Sequence, residues 1–227
     1  MKIQQYDAGI IGTNCYLVWD EASGDAMIVD PGGFVPQIEE AVSAEGLVVK
    51  YIVLTHGHGD HTGGVAEFRE RYPDTLLAAG EKEAGLLTDS EQNLSRDFSG
   101  DQTAYRADIW LKEGDELVLG DLHFLVFETP GHTPGGITLY TADGSAFSGT
   151  ALGANADGQI GGVAITGDTL FQGSIGRTDL PGGDYRALEE SIRKKLYALP
   201  EDTAVLPGHM GFTTIGYEAE HNPFVRK

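Results

Sequence analysis

The stretch Thr55-His56-Gly57-His58-Gly59-Asp60-His61 places three imidazoles and a carboxylate within six residues. These are the donor types that suit zinc, iron or manganese. The cluster follows the apolar run Tyr51-Ile52-Val53-Leu54, which reads as a buried strand, so the donors stand in the loop leaving a strand end. Gly57 and Gly59 let a tight loop turn alternate side chains toward one point. A histidine-rich surface loop is the competing reading, and four donors in this order fit it poorly.

Three more donors share one context. His132 follows the strand-like run from His123 to Thr129, Asp168 follows Val163-Ala164-Ile165-Thr166, and His209 follows Ala204-Val205-Leu206-Pro207. Each has a glycine beside it: Gly131, Gly167 and Gly208. A lone histidine is more often structural than ligating, but donors at the ends of several strands can converge on one sheet edge. His123, inside a strand, and His221, among polar residues, are assigned to no site. A structural zinc site is closed and usually cysteine-rich, whereas this chain has a single cysteine. No Gly-x-Ser-x-Gly nucleophile elbow is present.

In order and over most of the chain, His56-x-His58-x-Asp60-His61, then His132, Asp168 and His209, resembles the metallo-β-lactamase fold superfamily of hydrolases. The resemblance implies two divalent ions, zinc first, with iron and manganese as the other candidates. His56, His58 and His132 would hold one, Asp60, His61 and His209 the other, and Asp168 would bridge them. It also implies catalytic roles for Asp60 and Asp168 around an attacking metal-bridging hydroxide. His58 in place of a glutamate argues against the flavodiiron branch. Asp168 stands where many β-lactamases use cysteine, which argues against β-lactam hydrolysis. A narrower set, Pro130-Gly131-His132-Thr133-Pro134-Gly135, Gly167-Asp168-Thr169-Leu170-Phe171 and Gly173-Ser174-Ile175-Gly176-Arg177-Thr178-Asp179, is similar to the glyoxalase II-like group. So is the tail from Pro207 to Phe224. This implies hydrolysis of thioesters such as S-lactoylglutathione. The chain ends soon after His209, so the extra helical domain with which full-length glyoxalase II grips glutathione is expected to be absent. Persulfide dioxygenases share much of the pattern; that alternative implies one iron on His56, His132 and Asp168. Hydrolysis of other acyl or lactone substrates is the third reading.

Two further residues carry paired readings. Asp30, at a strand end before Pro31-Gly32, is either a carboxylate that fixes a ligand loop through hydrogen bonds or an ordinary turn aspartate. Arg177 either grips a substrate carboxylate or pairs with Asp179 to stabilise its loop. Residues near Phe212 and Tyr217 are the other candidates for substrate contact.

The elements that must position these residues are short strands alternating with helical stretches. Asp25 to Asp30 reads as a strand, Phe34 to Ala44 and His61 to Tyr72 as helices. Asp184 caps a helix whose stripe is Leu188, Ile192, Leu196 and Leu199, ended by Pro200. Gly120-Asp121 joins two strands in a hairpin. The mixture predicts an α/β (α+β) fold, a four-layer αββα sandwich, as one domain over residues 1–227. Residues 88–108 are expected as helix and loop over the site, and residues 149–162 as an extended, glycine-rich hairpin tip.

The net charge of −20 over 227 residues repels phosphate backbones and anionic lipid. A small-molecule substrate, with neither nucleic acid nor membrane as partner, is therefore expected. No apolar stretch long enough to cross a membrane occurs, and no apolar segment follows Lys2 as in a signal peptide, so the expected location is cytoplasmic. Cys15 cannot form an internal disulfide and reads as a buried small residue. The sequence does not define the oligomeric state.

Overall fold

The structure is a computed structural model that describes residues 1–99, 103–145 and 160–227. Most of the expected 149–162 hairpin lies outside the described residues. A first mixed sheet runs in the order β1 (Lys2–Ala8), β2 (Thr13–Trp19), β3 (Asp25–Val29), β4 (Val48–Leu54), β5 (Leu76–Gly80) and β6 (Ile109–Leu111). A second contains β7 (Glu116–Leu119), β8 (Leu122–Glu128), β9 (Ile137–Thr141), β10 (Val163–Gly167), β13 (Ala204–Pro207) and β14 (Thr213–Thr214), from one edge to the other. The short pair β11 (Leu170–Phe171) and β12 (Ser174–Ile175) stands apart.

Side chains alternate across a strand, and here the alternation builds four layers. From the first sheet, Tyr16, Val18, Met27, Val29 and Val53 meet Phe124, Val126, Leu139, Ile165 and Leu206 of the second in one central core. The intervening Cys15, Leu17, Ile28, Ile52 and Leu54 face outward. They pack with Ile38 and Val42 of α1 (Pro36–Glu45) and with Val65 and Phe68 of α3 (Val65–Arg71). On the far side, Val205 packs with Leu188 and Ile192 of α4 (Tyr185–Lys194) and with Ile215 and Ala219 of α5 (Ile215–His221). This is the expected αββα sandwich. Cys15 is buried and free.

Three helix boundaries differ from the sequence expectation. The first helix starts at Pro36, because proline suits the first helical turn and disfavours α geometry in the residue before it. It closes on Gly46 in the left-handed conformation at φ 65°. The expected 61–72 helix is two pieces, α2 (Gly59–Thr62) and α3, interrupted at Gly63-Gly64. There the chain passes the Gly32-Gly33 backbone so closely that a Cβ on Gly63 would lie 2.5 Å from the Gly32 carbonyl oxygen. The 184–199 helix ends at Lys194 and tightens into a 3₁₀ turn over Leu196–Ala198, still burying Leu196. Its Asp184 cap accepts from Arg186 N at 2.8 Å and Ala187 N at 3.1 Å.

Strand directions gather the donor loops. β3 and β4 are parallel, so Asp30 and the 55–61 loop leave the same edge. β10 is parallel to β13, and β8 and β10 are each antiparallel to β9, so β8, β10 and β13 also end together. The two edges are tied: Asn14 N donates to Gly208 O at 2.7 Å, and Ile137 N to Thr55 O at 2.8 Å. Among the described residues, no helix is long and apolar enough to cross a membrane.

Candidate metal centre

At that edge the seven candidate donors converge. His56, His58 and His132 form one group whose ligand atoms lie within 4.8 Å of one another; Asp60, His61 and His209 form a second; His56, His61 and Asp168 form a third that joins them. His58 Nδ1 and His132 Nε2 face each other at 3.0 Å. Two nitrogens bound to one tetrahedral zinc at about 2.0–2.1 Å stand about 3.3 Å apart, so this spacing suits a shared cation. Asp168 links the groups, with Oδ1 3.3 Å from His61 Nε2 and Oδ2 3.5 Å from His132 Nε2 and 3.7 Å from His209 Nε2. Asp60 Oδ2 lies 3.1 Å from His209 Nε2. Buried polar atoms without a hydrogen-bond partner include His56 Nε2, His61 Nε2 and Asp168 Oδ1. Such atoms are costly unless something completes their coordination, and imidazole with carboxylate is the donor set of a divalent metal. The residues fit the group.

The outward nitrogens show how the inward ones are presented. Asp30, fully buried, accepts from Thr55 N at 2.7 Å and from the Thr55 hydroxyl at 2.6 Å. With its proton committed to Asp30, Thr55 Oγ1 has a lone pair for His56 Nδ1–H at 3.2 Å, which leaves His56 Nε2 as the free lone pair. His132 Nδ1–H donates to the Arg177 carbonyl at 2.7 Å, which likewise frees its Nε2. Asp30 Oδ2 also lies 3.0 Å from His61 Nδ1. Asp30 thus holds the ligand loop through Thr55, and its carboxylate stands beside His61.

The charges sort themselves accordingly. Burial, then the neighbouring His61 and His132, keeps His56 well below the ordinary imidazole value. Burial, then His132, pushes His58 down to about 3. Both are neutral, with lone pairs available. His61 goes the other way: burial opposes its charge, but Asp60, Asp168 and Asp30 outweigh burial and raise it. Asp60 and Asp168 feel the same burial, which the adjacent histidines overcome, so both stay ionised well into the acid range. Three carboxylates around one imidazole call for a cation at this point, either a proton or a metal.

The donors floor a cleft of about 420 Å³. Its walls include Ile11, Leu94, Phe171, Ile175, Leu180 and Met210, with Arg177 as the one cation among its described residues. The Arg177 guanidinium is exposed and donates to both oxygens of Asp179, at 2.9 and 2.8 Å. Phe212 packs near Tyr16 and Tyr217 stacks on His221; neither is among the wall residues. Within the 88–108 stretch, residues 100–102 lie outside the described residues, and Asn93 and Leu94 reach the site: Gly59 N donates to Asn93 O at 2.7 Å, and Leu94 forms part of the wall. Sequence reasoning missed Thr55, as the link between Asp30 and His56, and Glu83. Glu83 is fully buried and accepts from Gly57 N at 2.8 Å and Gly135 N at 2.7 Å. Within Glu81-Lys82-Glu83 it looks like surface charge, and no local pattern marks it.

An αββα sandwich with a histidine-carboxylate centre at one edge defines a class of metal-dependent hydrolases. The profile of the metallo-beta-lactamase superfamily matches residues 8–162 and 146–209, and the chain belongs to that superfamily. It is 36% identical to the hydroxyacylglutathione hydrolase GloC of Haemophilus influenzae, over 99% of this chain and 98% of that protein. It is 37% identical to the probable metallo-hydrolase YqgX of Bacillus subtilis, over 99% and 98%. Among solved structures, BLEG-1, named a B3 metallo-beta-lactamase, superposes with a TM-score of 0.83 at 36% identity, covering 99% of this chain and 100% of that one. TTHA1623 in a di-iron-bound form gives 0.78 at 31%, covering 98% and 100%. ETHE1 of Myxococcus xanthus gives 0.71 at 26%, covering 98% and 84%.

Proposed function

We propose that this superfamily hydrolase cleaves thioesters, S-lactoylglutathione being the first to test, with two divalent ions, zinc before iron or manganese. The observation that carries the reading is the meeting of two ligand groups at Asp168 beneath an open cleft. The likeness to GloC along the whole chain supports the substrate class. A metal pair supplies Lewis acidity and lowers the pKa of a coordinated water to about 7. The chain does the rest. Asp60 and Asp168, ionised and facing the cleft, orient a water by accepting its hydrogen bonds, and the proton that water gives up ends on the thiolate leaving group. His56 and His132 are held in the right tautomer from behind. The apolar walls exclude bulk water from the acyl group, so charge developing on the carbonyl oxygen is felt more strongly. The products are a carboxylic acid and a free thiol. The net charge of −20 supports a small-molecule substrate, with neither nucleic acid nor membrane as partner.

Chelator-treated protein should lose thioesterase activity and regain it with zinc, iron or manganese; activity in fully metal-free protein would overturn the reading. Asp168→Ala should cost both metals, and His61→Ala mainly the second. The likeness to ETHE1 favours a second reading, a persulfide dioxygenase with one iron on His56, His132 and Asp168. One iron per chain, with oxygen-consuming activity retained in His61→Ala, would establish it. BLEG-1 makes a β-lactam the required control substrate; turnover above the thioester rate would displace both readings.

A further inference from the structure

Glu83 follows β5 in a 3₁₀ turn spanning Glu81–Glu83 and is fully shielded from solvent. Its two carboxylate oxygens serve two different loops. Oε2 accepts from the amide of Gly57, between His56 and His58, at 2.8 Å. Oε1 accepts from the amide of Gly135, three residues beyond His132, at 2.7 Å. Those loops carry the histidine pair that faces across 3.0 Å. Both contact points are glycines that approach this residue closely: a Cβ on Gly57 would press on Glu83 Oε2 at 3.0 Å, and one on Gly135 would collide with Glu83 N at 2.3 Å. Glu83 belongs to none of the groups able to hold a metal. A buried carboxylate is costly unless hydrogen bonds hold it, and here both amides belong to loops of candidate ligands.

We propose that Glu83 is a positioning residue for the metal centre, clamping the His56–His58 loop to the His132 loop so that the three-histidine site is preformed for its ion. This rests on the metal-centre part of the functional reading and is independent of the substrate. Glu83→Gln keeps the shape, but an amide offers an oxygen to only one of the two N–H groups and turns a donor toward the other, which releases one loop.

The test uses full-length metal-free protein. Zinc is titrated against a chromophoric chelator, and the visible ligand-field spectrum of the cobalt(II)-loaded form is recorded. Partners of this kind are worth on the order of 10- to 100-fold in metal affinity, so Glu83→Gln should weaken zinc binding at the three-histidine site by that factor and alter the cobalt spectrum. The comparison is Asp20→Asn. Asp20 is likewise buried and holds the amides of Ala22, Ser23 and Asp121, away from the site. That variant should lower the melting temperature while leaving zinc affinity and the cobalt spectrum unchanged. Should Glu83→Gln fail to fold, Gly57→Ala presses most closely on the carboxylate tip and the Leu87 side chain, and should weaken zinc binding in the same direction by a smaller factor. Wild-type affinity and spectrum in the folded variant that is measured, or an equal loss in Asp20→Asn, would overturn the proposal. Because no substrate enters, failure on thioesters leaves this result standing, and the reverse also holds.

Discussion

In the proposed centre His61 is where a proton and a metal would compete, and this makes its titration visible in the stability of chelated protein. Its folded value is raised above 6.5 by Asp60, Asp168 and Asp30 against the effect of burial. The stability it contributes is therefore complete below about pH 6.5 and is lost as the pH climbs through the raised value. His56 and His58 are depressed, His58 to about 3, by burial and then by neighbouring imidazoles. The unfolded chain protonates them below about pH 6.5 when the folded chain does not, so stability falls as the pH drops from there toward 3. Denaturant midpoints of chelated protein should pass through a maximum near pH 6.5. His61→Gln should remove the alkaline limb and keep the acid one. If wild type and variant show the same alkaline limb, His61 does not hold this proton.

The elements were legible in the sequence to different degrees, for physical reasons. The runs Asp25 to Asp30 and Tyr51 to Leu54 were legible as strands because each buries alternate residues in two different cores, Val29 and Val53 inward, Ile28 and Ile52 outward. The donors were visible because each follows a strand end, and parallel strands bring such ends together. The break at Gly63-Gly64 was not visible, because it arises from contact with Gly32-Gly33, some thirty residues earlier in the chain. Glu83 was hidden for a related reason: its partners lie 26 and 52 residues away, so its role belongs to the tertiary structure. Two substitutions separate packing from capping. A Cβ on Gly32 would stand 2.0 Å from the Asp60 carbonyl oxygen. Gly32→Ala should therefore cost about 1–3 kcal/mol as overpacking and also loosen the metal group that Asp60 shares with His61 and His209. Asp184→Ala should cost about 1 kcal/mol, the ordinary loss of a helix cap, or roughly 2–4 °C in Tm at this size, with metal content unchanged. Equal metal loss in both would mean that the centre responds to global stability alone.

At the scale of the whole molecule, the proposed substrate, a thioester that carries carboxylates, would meet a chain of net charge −20. The long-range field repels such a substrate, and the range over which it acts shrinks from about 30 Å at 0.01 M salt to about 8 Å at 0.15 M. Across that interval kcat/KM should rise for a glutathione thioester and stay level for an uncharged one. Within the cleft, Arg177 is the one cation among the described walls, but it is more than two-thirds exposed and already bound through two nitrogens to Asp179. A buried charged hydrogen bond is worth about 1.5–3 kcal/mol, an exposed ion pair only about 0.2–1. The exposed figure applies here, so Arg177→Ala should raise KM for the carboxylate-bearing substrate about 1.4- to 5-fold, with kcat nearly unchanged. Asp179→Ala frees the guanidinium and should lower the same KM. Neither change should reach a neutral thioester, which offers no carboxylate to the guanidinium. If both variants leave the anionic substrate untouched, the pair serves its loop alone. The apolar walls would then be what selects the substrate, and a neutral acyl thioester would become the better description.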